Sequence, residues 1–90
     1  MTAKQWPAWW AWELELSPHL AKRMVDRGFT EVELRRMLEY AQGHESDVVE
    51  GRFVVAVRHA GRPWEVIVEP DGERRLLVVV TAYPVERDTP

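Results

Sequence analysis

The sequence predicts an α+β domain, with two helices packed on one face of a mainly antiparallel four-stranded sheet in the order β-α-α-β-β-β. Three observations predict it. Residues 17–43 hold two segments of helical period between explicit start and stop residues. From Arg52 the period switches to two, with turn chemistry at Gly61-Arg62-Pro63 and Pro70-Asp71-Gly72. The run Leu76 to Tyr83 then stays apolar on both faces until Thr81, as a central covered strand does.

Taken in order, residues 1–12 form an N-terminal arm with Trp6, Trp9, Trp10 and Trp12 set around a proline and alanines. Such an arm either covers the core, each buried indole removing roughly 150–250 Å² from water, or presents an aromatic platform to a partner chain, a second copy or stacked bases. We read it as partly packed with a partner role. Residues 13–85 make the single folded domain, and residues 86–90 a flexible polar tail, with Pro84 already leaving the last strand. Glu13-Leu14-Glu15-Leu16 alternates strictly and reads as a short strand.

Ser17 is a good N-cap, Pro18 fits the first helical position, and Gly28 suits the left-handed residue that closes a helix. Between them Leu20, Ala21, Met24 and Val25 share one arc, and His19, Lys22, Arg23, Asp26 and Arg27 the other. A second helix starts at a capping box from Thr30 to Glu33, with Phe29 and Leu34 as a hydrophobic staple. Leu34, Met37, Leu38 and Ala41 form its apolar face, Arg35, Arg36 and Glu39 its solvated face, and Gly43 its end. Residues 43–51 read as an acidic loop with an exposed His44. In the two strands that follow, Phe53, Val55 and Val57, then Trp64, Val66 and Val68, form the alternating apolar sets.

Composition excludes several classes of function. With no cysteine, thiol nucleophiles, disulfides and thiolate zinc sites are all removed, and a cytoplasmic setting is the default. No apolar run approaches the ~20 residues needed to span a bilayer, so no membrane partner is expected. The three histidines match no ligand spacing, so neither a metal nor another cofactor is expected. A net charge of −3 argues against broad nucleic-acid binding, yet residues 51–63 carry Arg52, Arg58, His59 and Arg62 without one acid, and a local basic patch survives a negative total.

Candidate chemistry falls on His19, Arg23, Arg27, Arg58, His59, Thr81 and Tyr83. A histidine in the positive field of a helix N-terminus, one turn before an arginine, favours its neutral form, as a general base requires. Arginine forks hold a phosphate and stabilise charge gathering on its oxygens. This is the minimal equipment for metal-free RNA cleavage. The plainer alternative is a surface histidine with arginines paired to Asp26 or Glu15, and hydroxyls that mark only where a buried strand emerges.

The run His19-x-x-x-Arg23-Met24-x-x-Arg27-Gly28-Phe29-Thr30, with a closing Val79-Val80-Thr81-Ala82-Tyr83, resembles a family of small bacterial domains with the pattern S-x-H-A-x-x-R-M-x-x-R-G-I and V-V-T-x-Y, Leu20 standing where the pattern has alanine. That family looks related to the barnase, EndoU, colicin and RelE group of metal-independent RNase toxins. The resemblance spans residues 13–85 and implies a RelE-like fold whose site uses His19 and Arg23, with Arg58 and Thr81 from the sheet and Arg27, His59 and Tyr83 around the substrate. The expected function is a metal-independent RNase-like domain acting on RNA. Its rival is a non-catalytic interaction module, an antitoxin, an immunity protein or a dimeric scaffold, using the tryptophan arm. The partners implied are RNA, a cognate antitoxin, immunity or toxin protein, or a second copy.

Overall fold

The computed structural model describes residues 6–85. A short 3-10 turn, Ala8–Ala11, leads into β1 (Glu13–Leu16), α1 (Pro18–Arg27), α2 (Glu31–Glu39), β2 (Gly43–Ser46), β3 (Phe53–His59), β4 (Arg62–Asp71) and β5 (Leu76–Pro84). The fold is α+β as expected, but the sheet has five strands, in the order β1-β5-β4-β3-β2. All neighbours are antiparallel except β1, which runs parallel to β5.

The additional strand, β2, corrects the expectation of an acidic loop after α2. Gly43 pairs with Ala56 and Ser46 with Phe53, so this polar segment is held at the sheet edge by main-chain bonds. Gly43 therefore opens a strand rather than closing a helix. The helix stops at Glu39, where the Tyr40 amide turns back to the carbonyls of Arg36 and Leu38. At the other end of the domain, β5 keeps Pro84, and the Val85 amide donates to Pro63 O at 2.9 Å. The proposed flexible tail of residues 86–90 and the first five residues of the arm lie outside the described residues.

Both helix starts follow their signals. The Ser17 hydroxyl accepts from the Leu20 amide at 3.0 Å, Gly28 closes α1 with φ of 69°, and Thr30 and Glu33 exchange both bonds of a capping box. Leu20, Leu34, Met37 and Leu38 pack with Phe29 onto one sheet face, against Val55, Val57, Trp64, Val66, Val68, Leu77, Val79 and Ala82. The apolar stripe of α1 is narrower than its arc suggested. Leu20 is fully buried and Met24 partly so, whereas Ala21 is exposed and Val25 is 82% exposed.

The arm crosses the same side of the sheet. Trp9, Trp10 and Trp12 pack against the core, with the Trp9 ring 4.9 Å from Phe53 and the Trp6 ring 4.8 Å from His44. Among the described residues, the other face of the sheet carries no helix. There β5 contains one irregularity: Val68 pairs with Val79 and Ile67 with Thr81, so Val80 is an extra residue, a β-bulge.

Candidate functional site

The bulge decides where the hydroxyls go. Leu77 and Val79 point into the core, and unbroken alternation would turn Thr81 and Tyr83 the same way. The extra residue at Val80 instead sends Ala82 into the core and leaves Thr81 opposite Ile67 and Tyr83 opposite Glu65, on the face without helices. The Tyr83 hydroxyl donates to Glu65 Oε1 at 2.8 Å. Burial and then this carboxylate push the phenol's pKa up to about 12, with Asp47 adding to the effect. Tyr83 therefore stays protonated across the physiological range.

Two side-chain bonds fasten α1 along β5. The Ser17 hydroxyl, besides capping the helix, donates to Val80 O at 2.9 Å, and the Arg27 guanidinium donates to Ala82 O at 3.0 Å. The helix thus touches β5 at both its ends. Arg27 lies beside the buried stripe; Arg23, one turn earlier, is half-exposed and bonds Asp26 at 3.3 Å; His19 is exposed at the first turn. These three residues form a diagonal flank along the margin of the strand that carries Thr81 and Tyr83.

Arg58 and His59 belong to a different place. They lie at the end of β3, and β4 separates β3 from β5. The two-residue turn Ala60-Gly61, with φ of 53° and 76°, joins β3 to β4, and Arg58 Nη2 closes over it onto Gly61 O at 2.8 Å. His59 faces the helix side, edge-on to Trp64 at 5.4 Å and to Phe29 at 6.4 Å. With Glu33, Arg36 and Met37 of α2, Arg58 and His59 line a cavity of about 200 Å³. The sequence-expected residues are thus divided among the α1 flank (His19, Arg23 and Arg27), the bare face of the sheet (Thr81 and Tyr83) and the end of the β3–β4 hairpin (Arg58 and His59). The tryptophans form a further group, of which Trp10 and Trp12 line an open groove of about 200 Å³ with Leu14, Leu38 and Leu77.

Two residues were not singled out by the sequence. Glu65 read as one polar position of an alternating strand, and only the bulged register sets it opposite Tyr83. Arg36 read as part of a solvated helix face; the signal for it would have been the contact of α2 with β3, which the chain order alone does not give. Among the described residues no three His, Asp or Glu side chains gather to hold a metal ion, and no helix is long and apolar enough to cross a membrane.

No curated protein and no solved structure matches the chain. One family model, described as a domain of unknown function (DUF4258), matches residues 16–84, from the last residue of β1 through the last residue of β5. The chain belongs to that family.

Proposed function

We propose that the domain is a metal-independent RNase-like domain that acts on RNA phosphodiesters at the α1–β5 margin. The observation that carries this reading is the fastening of α1 by Ser17 to Val80 O and by Arg27 to Ala82 O. It holds the flank of His19 and Arg23 beside the edge of β5, while Thr81 and Tyr83 emerge on the opposite face of the sheet. Ser17 and Arg27 each have a structural partner. His19 has no hydrogen bond among the described residues, and Arg23 has only a solvent-exposed ion pair with Asp26, of small energetic value.

In this reading His19 takes the proton from a ribose 2′-hydroxyl. The 2′-oxygen bonds to phosphorus as the bond to the 5′-oxygen breaks, and the leaving oxygen takes a proton from solvent. The Arg23 guanidinium neutralises charge on the non-bridging oxygens. Thr81 and Tyr83, the latter with its proton held by Glu65, stand on the opposite face of the sheet, so the reaction at this margin rests on His19 and Arg23.

The test uses purified protein and structured and single-stranded RNA in EDTA. Cleavage leaving 2′,3′-cyclic phosphate ends is expected, with at least a hundred-fold loss in His19→Ala, the order expected for removing a general base, and an unchanged circular dichroism spectrum. Equal cleavage by both proteins would overturn the assignment.

A further inference from the structure

An antiparallel sheet that faces water on one side alternates apolar-in and polar-out. The face without a helix departs from that pattern. Val54 of β3, Ile67 of β4 and Leu76 and Val78 of β5 emerge there, since Val55, Val66, Val68, Leu77 and Val79 fill the helix-covered side. Val54 pairs with Ile67 and Ile67 with Thr81, so the apolar side chains form a band across the sheet, with Ile67 only 7% exposed at its centre. Val54, Leu76 and Val78 are each half-buried.

Carboxylates border this band. Glu13 and Glu15 alternate outward on β1, whose Leu14 and Leu16 pack against the core; Glu45 lies opposite Val54, and Glu65 and Glu69 flank Ile67 along β4. The nearby guanidiniums are already engaged: Arg74 pairs with Glu15 and Asp71, Arg52 pairs with Glu69, and Arg58 closes onto Gly61 O. Glu13 and Glu45 have no ion pair among the described residues, and Glu65 meets the neutral Tyr83 phenol. Glu45 and Glu65 border a depression of about 330 Å³ that Val54 and Ala56 also line. Gly43, opposite Ala56, supplies no side chain, and a Cβ there would meet nothing within 4 Å, so the depression stays open where β2 crosses it.

We propose that this face docks a basic amphipathic helix of another protein, its apolar stripe along Val54, Ile67 and Val78 and one lysine or arginine reaching between Glu45 and Glu65. Such a helix carries an apolar stripe flanked by charge, and it closes the second side of the sheet as α1 and α2 close the first. The cation's aliphatic stem lies on Val54 and Ala56 while its head meets the two carboxylates. Charge selects the occupant. A second copy presenting the same face would set carboxylate against carboxylate, and the same groups repel an RNA backbone, so neither is complementary. The docking face is separate from the α1 flank and does not depend on the RNA reading.

The probe is a helical peptide of about 18 residues with a leucine stripe flanked by lysines, titrated into the full chain and followed by NMR. Saturable amide shifts centred on Val54, Ala56, Ile67 and Val78 are expected, and none with a glutamate-flanked peptide bearing the same leucines. Glu45→Lys/Glu65→Lys should weaken binding roughly ten-fold. Val54→Thr/Val78→Thr keeps β-branched side chains, and so the strands, but removes apolar contact, and it should also weaken binding roughly ten-fold. Non-specific attraction to surface carboxylates would not respond to the second pair. Should a double variant lose its dispersed spectrum, Glu45→Lys alone, at an exposed edge position, carries the charge test, with roughly three-fold weaker binding expected. Equal binding of the two peptides, shifts centred elsewhere, or unchanged affinity in a folded variant overturns the proposal. Saturable shifts of the same amides with a short oligoribonucleotide would seat RNA on the face, and a native mass of two chains that falls to one in Val54→Thr/Val78→Thr would seat a second copy; either result overturns it as well.

Discussion

The Tyr83 phenol and the Glu65 carboxylate sit opposite each other on the face without helices, and their hydrogen bond makes the tyrosine a proton-retaining group. Its pKa is raised from 10.0 to about 12, by burial first and then by Glu65. A group whose folded pKa lies above its unfolded one stabilises the fold fully below the unfolded pKa and loses that contribution as pH climbs through the folded pKa. Stability should therefore decline between about pH 10 and about pH 12 in the native protein, and that increment should be missing in Tyr83→Phe when denaturation curves are compared pH by pH. Glu65→Gln should bring the phenolate absorbance midpoint down toward 10.0 without reaching it, because burial persists. An unchanged midpoint would mean that the carboxylate has no hold on the phenol. The individual site residues were legible where the sequence had only to place them on a helix. His19, Arg23 and Arg27 are on α1 as their spacing implies. The partnership of Glu65 with Tyr83 was not legible, because it depends on register, and one extra residue changes the face on which a side chain emerges.

At the scale of elements, α1 and α2 were readable because their ends are encoded in local chemistry: a serine cap, a proline at the first position, a capping box and a left-handed glycine. β2 was not, because Gly43-His44-Glu45-Ser46 has no apolar alternation; main-chain pairing with β3 makes it a strand. Nor does composition mark the bulge, since Val80 differs in no way from Val78 and Val79. What holds the bulge to α1 is Ser17, which joins two elements through one hydroxyl, accepting from the Leu20 amide and donating to Val80 O. Removing it leaves the helix uncapped and a strand carbonyl without its partner. Ser17→Ala should cost about 2 kcal/mol in urea denaturation, at the top of the range for a helix cap. Ser17→Asp restores the cap acceptor but cannot donate to Val80 O, so it should recover no more than about 1 kcal/mol. Full recovery by aspartate would show that the bond to the bulge contributes nothing.

Across the whole molecule, the described part of the arm behaves as the outer layer of the core. Without it, the lower end of the helix-side face would expose Phe53 of β3 and Leu14 of β1, residues that the helices only partly cover. Trp9 meets the Phe53 ring at 4.9 Å and approaches His44 at 6.1 Å, bringing residues from the start of the chain onto the strands at the far sheet edge. A contact so distant in sequence stabilises the native state without being formed locally in the unfolded chain. Truncating a buried tryptophan costs about 3–5 kcal/mol, and a half-buried one a correspondingly smaller amount. Trp9→Ala should therefore lower stability by about 2 kcal/mol. Trp10 and Trp12 differ in bordering the open groove with Leu38 and Leu77, which is where association through the arm would act. Sedimentation of Trp9→Ala and Trp12→Ala beside the native protein separates the two roles. A stability loss at Trp9 with no change in mass for either variant makes the arm a structural cover. A native mass above that of one chain that falls to one chain in Trp12→Ala makes the groove an interface and favours the interaction-module reading over catalysis.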